Sequence, residues 1–297
     1  MTVIGIFGPT ASGKSPVAEA VAARLQAELV SADAMQVYQG LPILTNQSAY
    51  PARMVAVWPL DHEASVGEYA PLAHAAIDGI LAAGRTPIVV GGTGLYLRAA
   101  LAELSLPPKP PHDARRRWSA FYDEAGAAAA HAHLVELDPA AAAGVHPNDR
   151  RRVVRALELA EAGASLAPER DRLWSEETRH PTLVVGLDVP PVVLERRIEQ
   201  RTRAMFDAGV ESEVRRALEQ PISSTARKVI GLEEIATLAR EEAIDALVGR
   251  TRRYAAYQRK WMRRIPGLVM FDADRPPGEV ADDIVTLART RERLPRP

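Results

Sequence analysis

Short apolar runs closed by glycine alternate along this chain with longer segments whose apolar residues recur at helical spacing. Val3 to Phe7 is a β-branched apolar run ending at Gly8 and reads as a buried strand. Ser15 to Leu25 follows as a helix carrying Val17, Ala18, Val21, Ala22 and Leu25 on one face. Glu28 to Ser31 and Arg53 to Trp58 are predicted as the second and third strands. Glu68 to Ala83 reads as a helix stopped by Gly84, and Thr86 to Val90 as a strand closed by Gly91-Gly92. Leu183 to Leu187 and Leu268 to Phe271 complete the strands, and Leu194 to Arg264 is helical with a break near Pro221 to Thr225. Strands alternating with helices predict a parallel sheet with helices on both faces.

The middle of the chain breaks this alternation. From His112 to Arg179 it is rich in Ala, Arg and Glu and shows no strand pattern. It follows a proline-rich break, Pro107-Pro108-Lys109-Pro110-Pro111. The predicted organisation is an α/β core of residues 1–111 and 180–297, with C-terminal helices, and a mostly helical insertion over 112–179.

With 297 residues, 47% hydrophobic and 25% charged, the chain has the composition of an ordinary soluble protein. It has no cysteine, which excludes disulfides, cysteine-ligated zinc and a cysteine nucleophile. No apolar run approaches the roughly 18 residues of a spanning helix, and the N-terminus lacks a basic leader. The expectation is a cytoplasmic protein without a membrane partner. The net charge of −1 does not suggest nucleic acid, but its distribution does. Seven basic residues and no acid lie between Arg250 and Arg264, and Arg115-Arg116-Arg117 and Arg150-Arg151-Arg152 form two further clusters. Solvated helix faces paired with glutamate would explain one such cluster; three favour an anionic partner.

Gly8-Pro9-Thr10-Ala11-Ser12-Gly13-Lys14-Ser15 matches the P-loop pattern between a predicted strand and a predicted helix. Its backbone N–H groups and the helix N-terminus suit a di- or triphosphate. Lys14 can reach an outer phosphate, and the Ser15 hydroxyl can ligate Mg²⁺. The fold class is therefore α/β, a P-loop NTPase-like parallel sheet flanked by helices, with a mostly helical insertion. The loop does not say whether phosphate is transferred or a diphosphate leaves.

Asp33 follows the second strand in Ser31-Ala32-Asp33-Ala34-Met35-Gln36, at the same sheet edge as the loop. A carboxylate there can bind Mg²⁺ or act as general base; a turn-capping aspartate is the plainer reading. Gln36 can offer an amide to a base edge. Gly91-Gly92-Thr93-Gly94 brings more N–H groups and a hydroxyl to that edge, although a helix entrance explains it about as well. The seven histidines show no metal-ligand spacing, and Trp118, Trp174 and Trp261 read as core or interface residues.

Taken with His146-Pro147-Asn148-Asp149-Arg150-Arg151-Arg152, Arg155-Ala156-Leu157-Glu158, Ile230-Gly231-Leu232-Glu233-Glu234 and Thr251-Arg252-Arg253-Tyr254-Ala255, these motifs resemble the tRNA dimethylallyltransferases over nearly the whole chain. The resemblance implies transfer of a dimethylallyl group from dimethylallyl diphosphate to N6 of an adenosine beside the tRNA anticodon. It implies Asp33 as general base, Thr93 beside the reacting groups and Arg201 on the diphosphate. The loop from Gly8 through Pro9, Thr10, Ala11, Ser12, Gly13, Lys14 and Ser15 would hold the diphosphate with Mg²⁺. Asp33, Ala34, Met35, Gln36, Arg115, Arg150, Arg151 and Arg155 would meet the tRNA, and the protein would act as a monomer. Ala34, Leu232 and the pair Ala256-Tyr257 stand where the family has Ser, Tyr and Lys-Arg. An isopentenyltransferase acting on free adenine nucleotides and a P-loop nucleotide kinase remain as alternatives.

Overall fold

The computed structural model describes residues 2–106, 113–167 and 172–293. The proline-rich break at Pro107–Pro111 and the predicted 111/112 boundary lie outside the described residues. The first part of the chain runs β1 (Val3–Phe7), α1 (Lys14–Arg24), β2 (Ala27–Ser31), β3 (Ala52–Arg53), α2 (Val66–Ala82), β4 (Thr86–Gly91) and α3 (Gly94–Leu101). Then come α4 (Ala114–Ala125), α5 (Ala127–Leu137), α6 (Pro139–Ala143) and α7 (Arg150–Glu161). The last part contains β5 (Thr182–Asp188), α8 (Pro191–Asp207), α9 (Val210–Leu218), α10 (Leu232–Thr237), α11 (Arg240–Met262), β6 (Val269–Asp272) and α12 (Pro277–Arg293).

The six strands are all parallel, in the order β3-β2-β4-β1-β5-β6. β1 lies between β4 and β5, with Ile6 level with Val90 and Val185, and all five of its residues are buried. That explains its unbroken apolar run, since a central parallel strand is covered on both faces. Right-handed crossovers put α1 and α12, which pack on each other, on one face and α2 and α3 on the other.

One predicted strand is corrected. Arg53 to Trp58 is not extended: only Ala52–Arg53 pairs with β2, because Met54 and Ala56 turn to φ of 65° and 50°. Trp58 instead forms an isolated parallel bridge with Tyr38, outside the sheet. Trp118, Trp174 and Trp261 are only partly buried.

The chain divides into two compact units, Met1–Glu103 with Leu173–Pro297, and Leu104–Arg172. Residues 173–179 belong with the sheet unit, because the buried Arg98 guanidinium donates to the carbonyls of Leu173, Ser175 and Glu177. In the second unit α4 to α7 close over Tyr122, Ala130, Leu134, Val153 and Leu157. The Asp149 carboxylate caps α7 by accepting the Arg152 N–H. No described helix is long and apolar enough to cross a membrane.

Candidate active site

β1, β2 and β4 all end at one edge of the sheet, and the loops after them carry the chemistry. Connections from adjacent β1 and β4 leave in opposite directions, which opens a crevice at the carboxyl ends of the strands. The loop after β1 turns tightly into α1 through Gly13 at φ 87°, a conformation that favours glycine. α1 has no side-chain cap and no acid in its first turn. Its first N–H groups therefore face the crevice ready for an anion.

The crevice is an open cavity of about 860 Å³, its solvent-filled mouth included. Thr10, Lys14, Ser15, Asp33, Arg201 and Tyr254 form its polar side. Met35, Leu44, Met205, Ile230 and Leu247 form an apolar wall. Burial lowers Lys14 to about 8; the Asp33 charge opposes that shift and Arg201 adds to it. Burial likewise lowers Arg201, and Asp33 opposes it. Arg201 makes no ion pair among the described residues, and the Lys14 ammonium donates only to the Pro9 carbonyl at 2.8 Å. Two desolvated cations thus share one carboxylate, an imbalance that a bound anion would correct.

Asp33 fits both of its sequence readings. Its Oδ1 accepts the Met35 N–H at 2.9 Å, as a turn aspartate does, while Oδ2 makes no hydrogen bond among the described residues, and the residue lines the cavity. Thr93 does not line the cavity. Its hydroxyl accepts the Ala34 N–H at 3.3 Å and lies 3.4 Å from the Tyr254 hydroxyl. Burial raises Tyr254 further above its ordinary value, aided by the Asp33 charge, so the phenol stays protonated. The Gln36 amide is already engaged: it accepts from Ser31 and donates to the carbonyls of Thr45 and Asn46.

Among the described residues no cluster of three His, Asp or Glu side chains could hold a metal ion. The Ser15 hydroxyl, which lines the cavity and makes no hydrogen bond among the described residues, still suits Mg²⁺. That ion keeps most of its water and takes its other ligands from phosphate oxygens.

The arginines of the second unit are more self-contained than their sequence clusters suggest. Buried Glu158 pairs with both Arg115 and Arg155, and Asp123 pairs with Arg150. Arg117 bridges Asp113 and Glu161. Arg116, Arg151 and Arg152 are exposed and make no ion pair among the described residues. On α11 of the sheet unit, Arg252, Arg253 and Lys260, and Arg263 just after it, are likewise exposed and unpaired among the described residues, with Tyr257 between them. Sequence reasoning did not single out Thr251, Tyr254, Gln258 or Glu213. The Glu213 carboxylate, buried on α9, accepts the N–H groups of Ile43 and Leu44 and so fixes the loop that brings Leu44 to the apolar wall.

Fold and site together define a P-loop α/β protein whose crevice joins a phosphate-binding helix terminus to a carboxylate and an apolar wall. A sequence model of the IPP transferase family matches residues 36–265, and the chain belongs to that family. It is 40% identical over 294 residues to the tRNA dimethylallyltransferase of Thermobifida fusca, covering 93% of this chain and 91% of the relative. It is 38% identical over 285 residues to that of Salinispora tropica, covering 92% and 88%. Among solved structures it resembles the full-length tRNA isopentenylpyrophosphate transferase of Bacillus halodurans (TM-score 0.70, 30% identity, 99% and 98% coverage). It also resembles a eukaryotic dimethylallyltransferase acting on tRNA (TM-score 0.80, 25% identity, 100% of this chain and 81% of the other).

Proposed function

We propose that this chain transfers a dimethylallyl group from dimethylallyl diphosphate to N6 of the adenosine 3′ to the anticodon in tRNA, releasing diphosphate. One observation carries the reading: Lys14, Arg201 and the uncapped α1 terminus face the Asp33 carboxylate across a cavity with an apolar wall. The N6 lone pair forms a bond to the first carbon of the donor, the carbon–oxygen bond breaks, and its electron pair leaves with the diphosphate. Asp33 takes the N6 proton through its unengaged Oδ2. Thr10, Lys14, Arg201 and the loop N–H groups stabilise the charge that builds on the leaving group. Met35, Leu44, Met205, Ile230 and Leu247 receive the apolar donor tail. Mg²⁺ held at Ser15 would neutralise diphosphate charge. The reaction suits a cytoplasmic monomer working on a base drawn out of its stack.

The test offers labelled dimethylallyl diphosphate with Mg²⁺ to unmodified tRNA and to AMP in parallel. The label is expected in adenosine of the tRNA; label in AMP alone would move the protein to the small-acceptor class.

The unpaired cations on α11 are the proposed track for the RNA backbone. Replacing Arg252, Arg253 and Lys260 together with Gln is expected to weaken tRNA binding and to shallow its salt dependence by about 0.7–0.9 per lost phosphate contact. The pair Arg116→Gln and Arg151→Gln is expected to do the same, and more strongly than Arg115→Gln and Arg155→Gln, whose charges Glu158 already answers. Binding titrations at several salt concentrations check both; an unchanged slope removes the residues from the interface.

A further inference from the structure

The Gln258 side chain is 1% exposed, yet neither of its hydrogen bonds to the backbone stays within its own helix. Its Oε1 accepts the Thr10 N–H at 2.7 Å, and its Nε2 donates to the Gly92 carbonyl at 2.8 Å. The orientation of the amide is dictated by these partners, since a backbone N–H can only donate and a carbonyl can only accept. The two groups belong to the loops after β1 and β4, which carry the phosphate cradle and Thr93. Gly92 is required for this fit, because a Cβ there would strike the Gln258 amide nitrogen.

One helical turn earlier, Tyr254 reaches the same place. Its hydroxyl lies 3.4 Å from that of Thr93, whose oxygen accepts the N–H of Ala34, next to Asp33. Gln258 therefore ties the phosphate loop to Gly92, and the next residue, Thr93, bonds the residue that follows the proposed base. We propose that Gln258 is a positioning residue that sets the spacing between the diphosphate cradle and Asp33, without touching either substrate. The proposal rests on the prenyl-transfer reading of this site. A buried amide that served packing alone would find its partners wherever they fell; here they are the backbones of the loops whose separation the reaction depends on. Turning the Thr10 N–H toward Gln258 also takes it out of the cradle, so Thr10 would meet the diphosphate through its hydroxyl.

Two variants test this. Gln258→Met keeps the length of the side chain and removes both hydrogen bonds. It is expected to lower kcat at saturating donor by about 10²-fold, as a misplacement of about 1 Å does, with tRNA affinity unchanged. Gln258→Glu presents the same donor and acceptor as the amide only when its carboxyl is protonated; ionised, it repels the Gly92 carbonyl. Its activity relative to wild type is therefore expected to rise as pH falls from about 8 to about 6. Tyr254, one helical turn away, stays protonated throughout, and Lys14, Asp33 and Arg201 are common to both proteins and cancel in the ratio.

A kcat for Gln258→Met within about threefold of wild type overturns the proposal. If that variant fails to fold, a ratio for Gln258→Glu that is flat with pH overturns it, and a rising one supports it. If the wild type transfers no prenyl group, the functional reading has failed on its own. Calorimetry with inorganic diphosphate then decides: weaker binding by Gln258→Met supports a role in shaping the cradle, and equal binding overturns it.

Discussion

Asp33→Asn is expected to lower kcat for prenyl transfer by about 10²–10⁴-fold, the range for loss of a positioned general base. The substitution is selective because asparagine keeps the Oδ1 that accepts the Met35 N–H, so the turn after β2 is preserved. What it removes is the second oxygen of a cavity-lining residue, an oxygen that makes no hydrogen bond among the described residues. tRNA affinity and thermal stability are expected to stay near wild type, checked by binding titration and calorimetry beside the rate. A kcat near wild type would show that the proton leaves N6 by another route, and that the aspartate is only a turn residue.

Lys14→Met is expected to lower kcat/KM for the donor by about 10²–10³-fold, since the ammonium stabilises charge that develops on the leaving group. The same residue sets a pH limit. Burial lowers Lys14 to about 8, so in the free protein its charge is lost as pH rises through 8. A bound diphosphate favours the charged form, so binding above that pH must take up a proton, and kcat/KM must fall by up to about tenfold per pH unit. Below that pH the lysine is already charged and the limb is flat. Lys14→Arg keeps its charge across the range and is expected to lose this limb. The pH profile of kcat/KM, with proton uptake measured calorimetrically in two buffers, checks the sign.

The order of legibility along this chain follows from the range of the interactions. β1, β4 and β5 were readable because central parallel strands are covered on both faces and so carry uninterrupted apolar runs. The phosphate loop was readable because its spacing encodes a local backbone turn. Arg53 to Trp58 misled because its apolar residues pack from a turn rather than a strand, and left-handed backbone at Met54 and Ala56 leaves no sequence mark. The arginines of the insertion were readable as clusters. Their neutralisation by Glu158, Asp123 and Glu161 depends on how α4 and α7 face each other. The role of Gln258 lay furthest out of reach, since its amide meets a loop 248 residues earlier in the chain. Two departures from the family pattern also became interpretable. Leu232 is buried at 2% exposure and serves packing, whereas Tyr257 is 54% exposed and replaces a charge on the face where α11 is otherwise basic.

In the proposed reaction this P-loop holds a leaving group and transfers no phosphoryl group. This is tested most directly by following the phosphorus: a single turnover with dimethylallyl diphosphate labelled in its diphosphate, unmodified tRNA and Mg²⁺, and a parallel reaction with ATP. Intact diphosphate is expected, released in equal amount to N6-prenylated adenosine, with ATP left unchanged. Orthophosphate from ATP, with no prenyl group on the tRNA, would contradict it.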